Sequence, residues 1–270
     1  MRYTQWRIDY FFAGETKMFP NNNLLTRQIQ ALQTQIAQVS CHNTTEILRT
    51  TAIIEKLLTQ YPENLPLLIL QCRIEILNSR EQKARALAHR IWEIGGNLTA
   101  RFEKIYIDNL LNLGLLEMAM ILLKPRFADL AANLPTFASP MIKFALITGS
   151  VALLQKICQY GGNTSTYAAL QQFVDTYKFN HYEEHFKNIG KIVMENFGDD
   201  ICAYDFNLYT DRGFTDVEIV LYFSNYDTNL PKYKTMLENR IDGYFLTAKA
   251  KRIYNLSFVF RSIKDHPNFA

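Results

Sequence analysis

The sequence predicts a mainly α fold: an α-solenoid of helical hairpins followed by a small C-terminal α+β (ββαβ) module. Three observations carry this. Turn residues recur at a fixed interval, each opening an amphipathic stretch. A series of asparagines interleaves with them. After Gly198 the apolar pattern changes from a helical period to alternation.

The first stretch, residues 1–22, is read as an N-terminal extension. Its "MRYTQWRIDYFFAG" carries two arginines, but Asp9 interrupts the apolar part and leaves it shorter than the roughly 7 to 15 residues of a signal-peptide core. No export signal is expected.

Counting from Gly114 in steps of 35 reaches Ser79 and Gly149, and one further step back reaches Thr44. Each opens a similar phrase: "TTEILRTTAIIEKLL", "SREQKARALAHRIW", "GLLEMAMILLKPRF" and "GSVALLQKICQYGG". These positions are expected to start the second helix of each hairpin. The asparagines are Asn23, Asn64, Asn97, Asn133 and Asn163. Asparagine is a favoured N-cap because its side-chain oxygen accepts from N–H groups left unpaired in the first helical turn, where Pro66 and Pro135 would also be tolerated. The asparagines are therefore expected to start the first helices. Five hairpins of about 35 residues follow over 23–197, the last irregular because its second helix is expected to begin near Asn180. Hairpins that each expose an apolar face must stack to bury it, which gives the solenoid. Leu25, Ile29, Leu32, Ile36 and Val39, and later Tyr182, Phe186, Ile189, Val193 and Phe197, mark two such faces.

Two stretches resemble the tetratricopeptide repeat family. "AIIEKLLTQYPENLPLLI" (52–69) is similar to the family's junction between one repeat and the next, and "GLLEMA" (114–119) resembles its glycine-to-alanine hairpin turn. The resemblance implies that first helices line a concave surface that holds another protein or peptide. With each cap asparagine as the first position, the inward polar candidates are Arg27, Gln35, Glu75, Arg101, Asp108, Asn109, Tyr167, Gln171 and Asp175. The period is also similar to that of pentatricopeptide repeats, which bind RNA, although their regular inter-repeat segment is absent.

Residues 198–270 are read as the α+β module. "ICAYDFNLYT" places Cys202, Tyr204, Phe206 and Leu208 on one face, and "VEIVLYFS" places Val217, Ile219, Leu221 and Phe223 on one face, joined by a turn with Asp211 and Gly213. Asn229 and Pro231 open a helix with a stripe of Tyr233, Leu237, Ile241, Tyr244 and Ala248, and "IYNLSFVFRSI" alternates again. One sheet face needs helical cover, and the helix at 181–197 is expected to cap the array and supply part of it.

Chemistry is sparse. The four cysteines form no short pairs and are read as buried free thiols of a cytoplasmic protein. "IYIDNLLNLGLLEMAMILL" (105–123) approaches membrane-span length but carries Asp108, Asn109, Asn112 and Glu117, so two helices meeting at Gly114 are expected and no membrane span. "HYEEH" (181–185) fits the H-x-x-E-H zinc-peptidase pattern, but Tyr182 and Phe186 already define the buried face and three fixed positions recur by chance. Asp205, Asp216 and Glu218 could serve a nuclease-like metal site, yet they fit the polar positions of a half-exposed sheet. The "KAKR" stretch (249–252) with Tyr233 and Tyr254 is the best nucleic-acid cluster, set against a net charge of only +3. The expectation is a non-enzymatic interaction scaffold or adaptor that needs no cofactor or metal and binds another protein or peptide. RNA binding is the alternative, and a metal-dependent hydrolase a more distant one.

Overall fold

The computed structural model describes residues 23–38, 44–78, 80–162, 164–179, 181–197, 201–211, 214–223, 226–248 and 256–262. The extension at 1–22, Val39, Cys41, Ser79, Asn163, Asn180, Gly198, Gly213, the 249–252 stretch and Tyr254 lie outside the described residues. The elements run α1 (Asn23–Gln38), α2 (Thr44–Gln60), α3 (Leu65–Leu77), α4 (Glu81–Ile94), α5 (Ala100–Asn112), α6 (Leu116–Ala128), α7 (Leu130–Ile147), α8 (Val151–Tyr160), α9 (Ser165–Phe179) and α10 (Glu183–Phe197). There follow β1 (Ile201–Asp211), β2 (Phe214–Phe223), α11 (Tyr226–Ala248) and β3 (Leu256–Ser262). This series of helical hairpins with a small ββαβ unit is the fold class the sequence predicts.

The 35-residue ruler survives in the second helices, since α4, α6 and α8 begin at Glu81, Leu116 and Val151. Gly114 and Gly149 precede the last two with φ of 67° and 65°, a left-handed conformation that glycine adopts without steric cost. The turn closes by a recurring bond in which an N–H reaches back five residues: Arg80 to Glu75, Ser150 to Ala145 and Tyr182 to Tyr177. In the last of these the left-handed place is taken by His181, φ 58°. Helix α10 begins at Glu183, so His181 lies in the turn and not on a helical face.

The asparagine series holds in part. Asn64 caps α3, accepting from the Leu67 N–H at 3.1 Å, with Pro66 in the first turn. Asn97 precedes α5 by three residues, and the helix is entered at Thr99, whose carbonyl takes the Glu103 N–H. Asn133 lies inside α7, which is capped by Asp129 accepting from Ala132. Pro135 and Pro140 are consequently interior to that helix, not in its first turn. An acidic cap four residues upstream pre-empts the asparagine.

The described residues fall into two compact units, divided between Leu110 and Leu111 within α5. In the first, α1 and α2 both pack on α3, which packs in turn on α4. Ten of the thirteen α3 residues are buried, so this helix is apolar almost all round, as a central helix must be. Tyr106 of α5 donates to the Ala88 carbonyl at 2.8 Å, tying α5 to α4.

In the second unit α6, α7, α8 and α9 pack in succession, and α9 continues onto β1 and β2. The sheet order is β1-β2-β3, with β1 antiparallel and β3 parallel to β2. The expectation of one covered sheet face is corrected here. Ile219 to Phe223 are buried at five consecutive positions, and because neighbouring side chains on a strand point to opposite faces, β2 is covered on both. Helix α9 lies against β1 and β2, while α11 lies against β3; α10 packs chiefly on α11 and α7. One described helix, α7, is long and apolar enough to cross a membrane, and here it packs between α6 and α8 with Lys143 3.7 Å from Asp205.

Candidate functional site

The nine candidates for a concave face separate on burial. Glu75 and Asn109 are wholly interior, which withdraws both from any contact with a partner. The Glu75 carboxylate meets Lys83 Nζ at 2.6 Å and Arg80 at 3.6 Å, and Lys83 also reaches Glu55 at 3.6 Å. This network ties α2, α3 and the start of α4 together. Asn109 donates to the Ile69 carbonyl at 3.1 Å, joining α5 to α3. Spacing along one helix revealed neither role, because the partners sit on other helices.

The remaining candidates all reach the surface at least in part. Asp108 is half-buried, 2.9 Å from Lys104, and its charge helps hold Arg73 protonated against a burial that lowers the pKa of that guanidinium. Gln171 donates to Asp175 at 2.7 Å on α9. Tyr167 packs its ring on the Gly161 backbone, and burial, with Cys158 nearby, raises its pKa. Arg27 and Arg101 are exposed, and Gln35 donates to Glu46 at 3.4 Å.

The "HYEEH" stretch does not form a ligand pair on one helical face. His181 is exposed in the turn, whereas His185 on α10 lies with its Nδ1 2.7 Å from the Tyr244 hydroxyl of α11, which also accepts from Asn188 at 3.0 Å. The strand carboxylates are engaged as well: Asp205 with Lys143, and Glu218 with Asn207 at 2.8 Å and Tyr209 at 3.3 Å. Among the described residues no three His, Cys, Asp or Glu side chains converge as a metal site would require. The Cys72 thiol is buried and pushed up to about 12, and that of Cys158 to about 11.

Among the described residues, one feature with the geometry of a binding site is a groove between α1 and α2. Because both helices rest on α3, a space of about 530 Å3 opens between them. Leu25, Leu32 and Leu57 form its buried floor. Leu24, 67% exposed, and Ile53, 38% exposed, stand in its walls with Gln28, Gln35, Gln60 and Lys56. Among the described residues of its lining, Lys56 is the one that carries a charge.

The sequence carried a signal for this groove. Two apolar doublets, Leu24-Leu25 and Ile53-Ile54, are wider than one buried stripe requires, and in each the structure buries one member and exposes the other in the groove wall. Compared with family models, curated proteins and solved structures, the chain matches none.

Proposed function

We propose that this chain is a non-enzymatic interaction scaffold, a tetratricopeptide-like array of helical hairpins that holds a partner protein by an apolar helical segment laid in the α1–α2 groove. The observation that carries the reading is the groove itself, with aliphatic side chains on its floor and walls and amides between them. A helix laid between two others is recognised through anchors one turn apart, and α1 offers Leu24, Gln28, Ala31 and Gln35 at that spacing. Covering the exposed parts of Leu24 and Ile53 contributes about 1 kcal/mol each, enough to favour an occupant without requiring one for folding. A carboxylate on the partner segment would pair with Lys56.

The test is photo-crosslinking from position 53 in cells, followed by synthesis of the captured segment and titration against the purified full chain. One segment should bind with one-to-one stoichiometry, and Ile53→Glu should weaken it at least about tenfold, or 1.4 kcal/mol. Met120→Glu, at an exposed position in the other unit, should leave it unchanged. Equal binding by all three proteins would sink the reading. Salt-sensitive binding of a single-stranded RNA, with no peptide captured, would favour an RNA-binding repeat protein instead.

A further inference from the structure

We propose that a second cavity, over α3 between α2 and α4, binds a free α-amino acid, with Arg90 taking its carboxylate, Glu55 its ammonium group and the Gln71 amide the polar atoms between them. The site is separate from the α1–α2 groove and does not depend on it.

Helices α2 and α4 both pack on α3, and α4 reaches across to α2 and the turn after it at two places. Lys83 stands 2.6 Å from Glu75 of α3 and 3.6 Å from Glu55 of α2, and Arg90 donates to the Pro62 carbonyl at 2.9 Å. The two cations are seven positions apart, which puts them on one face of α4, about 10 Å from each other along its axis. Glu55 from the first crossing and Arg90 from the second line a cavity of about 270 Å3, together with Gln71, Leu58, Thr59 and Pro62. Sites for drug-sized ligands run from about 300 to 1,000 Å3, so the occupant is a smaller molecule.

Gln71 points to a ligand. It is 9% exposed, it lines the cavity, and no described residue satisfies its carboxamide. A buried amide left without a partner is costly, and one that opens into a cavity is satisfied by what the cavity holds. The charges beside it are balanced. Lys83 is bonded more closely to Glu75 than to Glu55, so the Glu55 carboxylate keeps oxygens for a ligand. Arg90 uses one N–H on Pro62, and the rest of its planar fork has no partner among the described residues. Glu63, beside Pro62, and Glu93, one turn along α4, are both exposed and neither pairs with Arg90 among the described residues. One charge of each sign in the lining suits a ligand that carries both, whereas a phosphate or a metal ion would call for one sign alone. Leu58 and Pro62 offer an apolar wall to an aliphatic side chain.

The test is calorimetric titration of the full chain with each of the standard free L-amino acids, to about 10 mM. At least one with an aliphatic side chain should bind one to one. Its C-terminal amide and its N-acetyl derivative, each lacking one charge, should bind at least about tenfold more weakly, as should the unmodified amino acid to Arg90→Gln, Glu55→Gln or Gln71→Leu. Arg90 and Glu55 are exposed, so their variants should fold as the parent does. Gln71→Leu removes a buried amide that has no protein partner, so its urea midpoint without ligand should equal or exceed the parent's. Ile53→Glu, in the other groove, should leave the affinity unchanged.

Absence of binding by every amino acid to about 10 mM overturns the proposal. Equal binding of the capped derivatives also overturns it, since the site would then read a peptide group and not a zwitterion. Binding that survives Gln71→Leu, or that is lost in Ile53→Glu, places the amino acid elsewhere and does the same. So does a Gln71→Leu midpoint well below the parent's, because the amide would then serve the fold.

Discussion

Gly149 and Gly190 meet backbone to backbone where the α7–α8 turn rests on α10. A Cβ added to Gly190 would stand 2.5 Å from the Ile147 carbonyl oxygen and 3.2 Å from the Gly149 nitrogen, and one added to Gly149 would stand 2.5 Å from the Lys187 Cα. The obstacles are backbone atoms, which cannot swing aside as a side chain can. Gly190→Ala should therefore cost about 3 kcal/mol, an overpacking penalty, and Gly149→Ala about 1 kcal/mol more for its left-handed φ. Gly162→Ala is the control. It too has a positive φ, 73°, but a Cβ there meets nothing within 4 Å, so it should lose only about 1 kcal/mol on urea unfolding. Similar losses at all three sites would show that the close approach carries no energy.

The capping assignments give a second test. Asn64 is 4% exposed and its side chain satisfies the Leu67 N–H, so Asn64→Ala should destabilise by about 1 to 2 kcal/mol. Asp129→Ala should cost about 1 kcal/mol, because Asp129 performs the same task for α7 at a more exposed site. Asn133→Ala should fall within about 0.5 kcal/mol of the parent, since its amide only bonds the Asp129 carbonyl from an exposed turn. A large loss at Asn133 with none at Asp129 would return the cap to the asparagine.

These caps also show why the fold was more legible than its details. The period at Glu81, Leu116 and Val151 was readable because left-handed turns favour glycine and the stripes after them are long. Asn97 and Asn133 misled because an asparagine in the chain before a helix, or on a turn inside one, looks the same in sequence as one that caps. In β2, Val220 and Tyr222 were already apolar on the second face, but Asp216 and Glu218 suggested exposure. Glu75 and Asn109 looked like surface polar residues because the groups that satisfy them come from other helices. The groove lay beyond reach for a related reason: its doublets were visible, but that α1 and α2 both settle on α3 is a tertiary outcome.

The buried carboxylate at Glu75 sets a third expectation. Lys83→Met strands a fully buried Glu75 with Arg80 at 3.6 Å as its remaining cation. Lys83 is itself 43% exposed, so solvent already screens part of the pair, and the loss should be about 2 kcal/mol, below the usual range for breaking a buried ion pair. Glu75→Met combined with Lys83→Met should be less destabilised than the sum of the two single changes, because no charge is then left inside. Strict additivity in this double-mutant cycle would mean that the two side chains do not interact.

Stability at high pH offers the last test. Burial raises the Cys72 thiol from 9.0 to about 12, and burial, with Tyr182 and Asp216 nearby, raises Tyr177 well above its ordinary 10.0. For both groups the neutral form is the one the fold accommodates. The unfolded chain therefore releases these protons more readily than the folded one. The contribution is fully present below pH 9 for Cys72 and below pH 10 for Tyr177, and is lost as pH rises through the folded values. The Tyr177 hydroxyl is buried among Phe173, Phe186 and Tyr182 with no hydrogen-bond partner among the described residues. Tyr177→Phe should accordingly raise stability by about 1 kcal/mol at pH 7, through removal of an unsatisfied polar atom. The same variant should also lose stability less steeply than the parent above pH 10, where the parent must ionise this group on unfolding. Urea midpoints measured from pH 7 to 11 read both effects. A Tyr177→Phe protein that is less stable at pH 7 and follows the parent's slope would show that the hydroxyl is satisfied in solution and titrates normally.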